Sequence, residues 1–309
     1  MTAGPAPDAP YRCAVASGLR DDVLAGTAST VRAFLLVEHA GPWGVDALRD
    51  ARLPDGLGAA LRERSRAGGV RVLLVRRHGR RSADPGEGGT RVFAAHAHPH
   101  RPRLEATTLD DVRALLDVDL AALRAEGTLG WPEAAGPVLA VCTHGRHDAC
   151  CAETGRPVAA ALTAAHPEQT WEVSHIGGDR FAGNLLVLPH GLYFGRLDRV
   201  AALTAAGAHL AGQVDLDHLR GRSGWAMPVQ YAEVALRREL GETRLDAVRL
   251  VGARVEGSRT RAVLRVAAQE WEVVVDTRPG EERHLLTCRA VRENAAPEHR
   301  LESVRLLPQ

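Results

Sequence analysis

The chain predicts an α/β fold from three observations. Apolar runs of strand length alternate with helical periodicities, glycine and proline mark the joints, and one order of elements occurs twice before a strand-rich tail.

The first pass begins at Val31–Val37 (VRAFLLV), a mostly apolar run closed by Gly41, Pro42 and Gly44. Asp46–Arg66 reads as helix, interrupted around Pro54–Gly58, and Val70–Val75 (VRVLLV) as a second strand. A Gly-rich loop follows at Ser82–Gly89, then a short strand at Thr90–Ala95. Thr108–Glu126 places Val112, Leu115, Leu116, Leu120 and Leu123 on one helical face. Gly127–Gly136 is rich in turn formers and marks a domain boundary.

The second pass repeats the order. Gly136–Val141 reads as strand, Cys142–Thr154 as loop, Pro157–Ala165 as helix, and Thr170–Val173 as a strand running into His175–Gly178. Asn184–Leu188 and Leu192–Arg196 pair as a hairpin across Pro189-His190-Gly191. Arg199–Gly212 is a helix for which Gly212 suits the cap. A βαβ start followed by a hairpin and helix is the order of a thioredoxin-like unit. The chain is therefore expected to hold two tandem thioredoxin-like units, residues 12–130 and 131–240, behind a flexible tail at 1–11. Trp225–Leu240 is an amphipathic helix after Pro228. Val248–Val255, Thr260–Ala267, Trp271–Asp276 and, as a fourth, Leu285–Val291 read as strands of a small antiparallel β (α+β) appendage over residues 241–309.

Composition narrows the function. Hydrophobic residues make up 45% and charged residues 25%, the balance of a soluble globular protein. The net charge is +1 with every basic residue an arginine, so the footprint of a nucleic-acid binder is missing. No apolar run reaches the roughly 20 residues that span a bilayer. The Pro/Ala-rich start lacks the apolar core of a secretory signal. A cytoplasmic protein with neither membrane nor nucleic acid as partner is expected.

Five cysteines, Cys13, Cys142, Cys150, Cys151 and Cys288, make an odd count that argues against a disulfide framework. Three of them fall in Cys142-Thr-His-Gly-Arg-His-Asp-Ala-Cys150-Cys151. Downstream comes His175-Ile-Gly-Gly-Asp179-Arg-Phe-Ala-Gly-Asn184. Both segments lie where a strand gives way to a loop, the place where α/β sheets present functional groups. Thiolate suits iron–sulfur clusters or zinc, and imidazole suits iron and zinc. A [2Fe–2S] unit needs two donors per iron. Cys142 with Cys151 supplies one candidate pair, and His175 with position 179 the other. Gly177 and Gly178 permit positive φ and a close backbone approach, from which N–H groups can bond to cluster sulfides. His144, with His147 and Asp148, lies in the cysteine loop as a hydrogen-bond partner for the ligands. The plainer account of that loop, solvated side chains, stands beside this one.

With those residues in view, the stretches CTHGRHDACC and WEVSHIGGDRFAGNLLVLPHGLYFGRL resemble the sucrase/ferredoxin-like family, a branch of the thioredoxin-like [2Fe–2S] ferredoxins. Weaker likeness reaches LAGTAS and FLLVEHAGPWG upstream and LRGRSGWAMPVQYAEVALR downstream. The resemblance implies that Cys142 and Cys151 ligate one iron and that a His-x-x-x-His pair ligates the other. His175 matches the first histidine of that pair; Asp179 stands in the second slot, a departure. The fourth ligand is then Asp179 through oxygen, with Cys150 as the alternative. The implied function is electron transfer by one [2Fe–2S] cluster to and from a separate redox partner protein. Its potential would be pH-dependent and higher than an all-cysteine cluster's, because a neutral imidazole replaces a charged thiolate.

Three rivals remain. A thiol oxidoreductase would use Cys-x-x-Cys, which is absent. A structural zinc site accepts the same donors. Sucrose hydrolysis needs two carboxylates about 5–10 Å apart in a sugar pocket, and no segment offers such a pair, so a non-enzymatic carrier is expected. His96, His98 and His100 alternate as on one strand face. Gly41-Pro42-Trp43-Gly44 reads as a structural turn that occupies the position of the cysteine loop in the first pass. Cys13 and Cys288 read as isolated thiols.

Overall fold

Alternation along the strands decides the architecture of the computed structural model, which describes residues 10–79 and 89–308. The tail expected at 1–11 and the loop expected at 82–89 fall outside the described residues, apart from residues 10, 11 and 89. In β1 (Ala33–Glu38), Phe34 and Leu36 enter one apolar cluster while Ala33, Leu35 and Val37 enter another. In β5 (Val138–Cys142), Val138, Ala140 and Cys142 share the first of those clusters, and Leu139 and Val141 face a third. Burial on both faces is the signature of a central strand covered on each side.

These strands lie within one nine-stranded mixed sheet. The others are β2 (Arg71–Arg76), β3 (Thr90–His96), β4 (Arg103–Leu109), β6 (Thr170–Val173), β7 (Leu185–Leu188), β8 (Leu192–Phe194) and β9 (Leu219–Arg222), in the order β4-β3-β1-β2-β6-β5-β7-β8-β9. β1 runs parallel to β2 and antiparallel to β3, which pairs β4; β5 runs parallel to β6 and antiparallel to β7, which pairs β8. The halves join where β2 meets β6 antiparallel, with Val75 opposite Val173 and Arg76 opposite Glu172. Glu172 binds that seam: Arg76 lies 2.7 Å from it, His78 Nδ1 2.6 Å, and the Thr143 hydroxyl donates to it at 2.8 Å.

The sheet curls around the cluster that holds Phe34, Leu73, Phe93, Ala140, Trp171 and Leu186, so both halves share one inner core. The curl brings distant segments together: Val31 N–H donates to the Ser223 carbonyl at 2.9 Å. Helices cover the outside. α3 (Leu57–Gly68) and α4 (Leu120–Ala125) bury Leu57, Leu61, Leu120 and Leu123 on the first half. α5 (Ala149–Ala165) and α6 (Arg199–Leu210) bury Val158, Leu162, Ala202 and Ala205 on the second. A separate four-stranded antiparallel sheet, β10 (Val248–Glu256), β11 (Arg259–Val266), β12 (Gln269–Pro279) and β13 (Pro297–Leu306), packs on α7 (Met227–Leu240) through Ala232, Leu236, Leu264 and Val273. Two short helices, α1 (Cys13–Leu19) and α2 (Ala47–Asp50), complete the α-helices of the described residues.

Several sequence expectations need correction. The helix expected at Thr108–Glu126 is the end of β4, a 3₁₀ turn at Val112–Leu116 and the short α4. Asp111 accepts from Arg113 N–H and Asp119 from Ala121 and Ala122 N–H, so each carboxylate starts a new turn and divides the apolar face. The cysteine loop is shorter than expected: α5 starts at Ala149 and contains Pro157. Asp148 caps it, accepting from Cys150 N–H at 3.0 Å. The fourth strand of the small sheet is β13, not Leu285–Val291, which lies in the β12–β13 connection. β13 is exposed at most positions, so its period is faint in sequence.

Candidate metal centre

The end of β5, the first turn of α5 and the segment after β6 converge. A helix turns roughly 100° per residue, so the adjacent Cys150 and Cys151 leave α5 in different directions. They serve two separate groups of side chains.

In the first group, Cys142 ends β5 and Cys151 lies in the first turn of α5, each 1% exposed. Cys151 Sγ donates to Asp179 Oδ1 at 3.3 Å. Asp179 is buried at the start of a 3₁₀ turn, Asp179–Phe181. His175 Nδ1 lies 2.9 Å from Asp179 Oδ1, yet that buried nitrogen has no partner in hydrogen-bond geometry. His147 stacks on His175 with ring centroids 3.8 Å apart, and its Nε2 is 3.9 Å from Asp179 Oδ2. One donor atom each from His147, His175 and Asp179 lies within 4.8 Å of the other two.

The first half of the sheet orients these rings. His147 Nδ1 is 3.1 Å from the Val45 carbonyl. A carbonyl only accepts, so Nδ1 carries the hydrogen and, in the neutral ring, Nε2 keeps its lone pair facing the group. His144 Nε2 donates to the Gly44 carbonyl at 2.9 Å, and its Nδ1 accepts His175 N–H at 3.2 Å. Both nitrogens are thereby used, which makes His144 a neutral positioning residue. Burial pushes its pKa down to about 4. Trp43 meets the His144 ring edge-on, and Arg76 lies over Trp43.

Electrostatics follow from this packing. The hydrogen bond with Cys151 holds the Cys142 thiol below its ordinary range and drives Cys151 above it. Burial opposes charge on both His175 and Asp179, but their contact outweighs it, raising the histidine and lowering the aspartate.

The backbone after β6 is pinned carbonyl by carbonyl. Arg71 donates to His175 O, Ser29 to Ile176 O, Arg220 to Gly177 O and Asn184 Nδ2 to Gly178 O, at 2.9–3.1 Å. Gly177 and Gly178 take φ of 95° and 80°, and a Cβ on Gly178 would collide with the Arg220 guanidinium. Arg220, 1% exposed, also donates to Thr27 O at 2.6 Å and Asn184 Oδ1 at 2.7 Å, between the faces of Phe181 and Tyr193.

The second group corrects the reading of Cys13 and Cys288 as isolated thiols. Cys150 Sγ lies 3.3 Å from Cys288 Sγ, which is 3.5 Å from Cys13 Sγ. Cys13 Sγ is 3.6 Å from Asp148 Oδ2. Cys150, the sequence alternative for the fourth ligand of the first group, is placed here instead.

Of the sequence candidates, the first group brings together Cys142, Cys151, His175 and Asp179; His144 and the two glycines support it. Sequence reasoning passed over His147 as a donor, although its position between Cys142 and Cys151 was a usable signal. Arg220 had no local signal, since its partners lie far away in the chain.

Buried thiols, imidazoles and a carboxylate gathered where parallel strands end mark an α/β protein equipped to bind a metal. A family model for sucrase/ferredoxin-like proteins matches residues 24–218, well over half of the chain, and the chain belongs to that family. Neither a curated protein nor a solved structure matches it. Among the described residues, no helix is long and apolar enough to cross a membrane.

Proposed function

We propose that the protein is an electron carrier holding one [2Fe–2S] cluster at the first group. Cys142 and Cys151 would bind one iron, and His175 with Asp179 the other. One observation carries this reading: the two sequence-distant donor pairs meet at the 3.3 Å contact between Cys151 and Asp179, beside a buried His175 Nδ1 that lacks a hydrogen-bond partner. Two soft thiols beside a nitrogen and an oxygen donor form a mixed set of the kind that iron–sulfur chemistry accepts. A bound cluster would supply one-electron redox chemistry. The chain's own part is to bind and to hold. Asp148 caps α5 and fixes the helix turn that presents Cys151. His144 ties the His175 backbone, and Arg71, Ser29, Arg220 and Asn184 fix the following carbonyls. Trp43 and the segment to Val45 cover the histidines from the other half of the sheet. We also read the matching pairings β4-β3-β1-β2 and β8-β7-β5-β6 as two thioredoxin-like units. Electrons would come from and go to separate redox proteins.

The test is an anaerobic optical and electron paramagnetic resonance spectrum before and after dithionite. A red-brown protein with a rhombic S = 1/2 signal on reduction is the expected result. Asp179→Ala should then alter that signal strongly and His147→Ala only weakly; the reverse order would transfer the fourth position to His147. A colourless protein without iron after anaerobic handling would sink the reading.

A further inference from the structure

Cys13, Cys150 and Cys288 are far apart in sequence and meet in the second group of side chains, separate from the residues of the proposed cluster. Cys13 opens α1, Asp148 and Cys150 form the start of α5, and Cys288 sits in the connection between β12 and β13. One donor atom from each of the four residues lies within 4.8 Å of the other three. We propose that Cys13, Cys150, Cys288 and Asp148 form a closed tetrahedral zinc site that staples the N-terminal helix and the β12–β13 connection to α5.

The spacing fits one ion. With Zn–S bonds near 2.3 Å, sulfurs on a zinc tetrahedron stand roughly 3.8 Å apart. The Cys150–Cys288 and Cys288–Cys13 separations of 3.3 and 3.5 Å lie close to that edge. They are far longer than a disulfide bond of about 2.05 Å, and all five cysteines are free thiols. Three thiols with one carboxylate is a donor set that tetrahedral zinc accepts.

The carboxylate is oriented in advance. Asp148 Oδ1 accepts from Cys150 N–H at 3.0 Å and Oδ2 from Cys288 N–H at 2.6 Å. Each oxygen retains a lone pair, so Asp148 can both order the two ligand backbones and reach the ion. Asp148 and Cys13 are fully buried, and Cys150 nearly so. Cys288 is half-buried; holding the two buried sulfurs as thiolates beside a buried carboxylate without a counter-charge is costly, and a divalent cation at their centre supplies that charge.

The topology gives the site a purpose. The connection from Gly280 to Ala296 contains no strand, and one isolated bridge, His284 with Asn294, joins its arms. Its links to the rest of the chain gather around this site: Cys288 N–H bonds to Asp148, the Tyr11 hydroxyl donates to Leu285 O at 2.5 Å, and Arg289 reaches Arg146 O. α1 packs against the Asp179–Phe181 turn, so the staple also braces the turn that carries Asp179.

The experiment measures zinc and iron in the anaerobically purified full-length chain and in two double variants, C13S/C288S and C142S/C151S. About one zinc per chain is expected in the wild type and in C142S/C151S, falling at least tenfold in C13S/C288S. Iron should be present in the wild type and in C13S/C288S and lost from C142S/C151S. Zinc retained in C13S/C288S, or lost only from C142S/C151S, would overturn the assignment. Should C13S/C288S fail to fold, cobalt(II) titration of zinc-stripped C142S/C151S decides: tetrahedral cobalt–thiolate bands saturating at about one equivalent support the site. Their absence, or a Cys150–Cys288 disulfide found in non-reduced peptides of the freshly isolated wild type, would overturn it. The zinc result stands or falls independently of whether iron occupies the first group.

Discussion

The two halves of the nine-stranded sheet repeat one set of strand pairings but equip the ends of their leading strands differently. Beyond β5 come the thiols, histidines and Asp148 of the Cys142–Cys151 segment. Beyond β1 comes Gly41-Pro42-Trp43-Gly44-Val45, which has no thiol and contributes backbone carbonyls at Gly44 and Val45. The difference shows a division of labour. One half carries the thiols, the histidines and Asp179, and the other sets which nitrogen of His144 and His147 carries a proton. Neither half holds the complete site.

The comparison is tested most severely at Arg220. Its guanidinium joins Thr27, ahead of β1, to Gly177 and Asn184 beyond β6. Arg220→Ala leaves the buried Asn184 Oδ1 and the half-buried Thr27 and Gly177 carbonyls short of a donor, at roughly 3 kcal/mol of stability. Urea unfolding of the metal-free protein should show it; a loss below about 1 kcal/mol would mean that the loop stands without this tie.

Trp43→Ala comes next. It should cost about 3 kcal/mol, as large aromatic truncations in cores do. A sharper readout is the His144 ring in the metal-free protein. Burial holds it near pKa 4, and opening its cover should move that value upward in a nuclear magnetic resonance titration. An unchanged His144 would show that the first half plays no part in setting the ring.

The smallest effect lies at the seam. Burial works against charge on Glu172, but Arg76, His78 and Thr143 outweigh it and hold its pKa below the usual glutamate value. The carboxylate therefore contributes stability that is present above the unfolded pKa, about 4.3, and is lost as pH falls through the lower folded value. Glu172→Gln should cost about 1 kcal/mol near pH 7, and the gap to wild type should close on acidification below pH ~4. A gap that persisted in acid would point to a packing defect instead of the charge.

Legibility tracked the range of the interactions. β1, β2, β5, the β7–β8 hairpin and α7 were readable because apolar periodicity and turn residues act within a few positions. β4 and β9 were not, since RLEATTL and LRGR are polar and gain their strand character from neighbours. Arg220 and Arg222 are buried in β9 only because distant carbonyls and Glu233 receive them. Pro157 by itself suits a helix start. Asp148 had already capped the helix upstream, and this single shift moved both cysteines from a loop onto α5.

The sequence by itself determined the donor inventory, the Cys142/Cys151 and His175/Asp179 spacings, the alternating α/β order and the paired glycines. Each of these rests on residue chemistry or on periodicity within a short window. Tertiary structure decided which thiol belongs to which group. The helical rotation between Cys150 and Cys151 separates neighbours in the chain, and the folding of α1 and the β12–β13 connection onto α5 brings Cys13 and Cys288 together across 275 positions. Direction on a helix and closure of long loops depend on the packing of the whole chain, so no local pattern could report them.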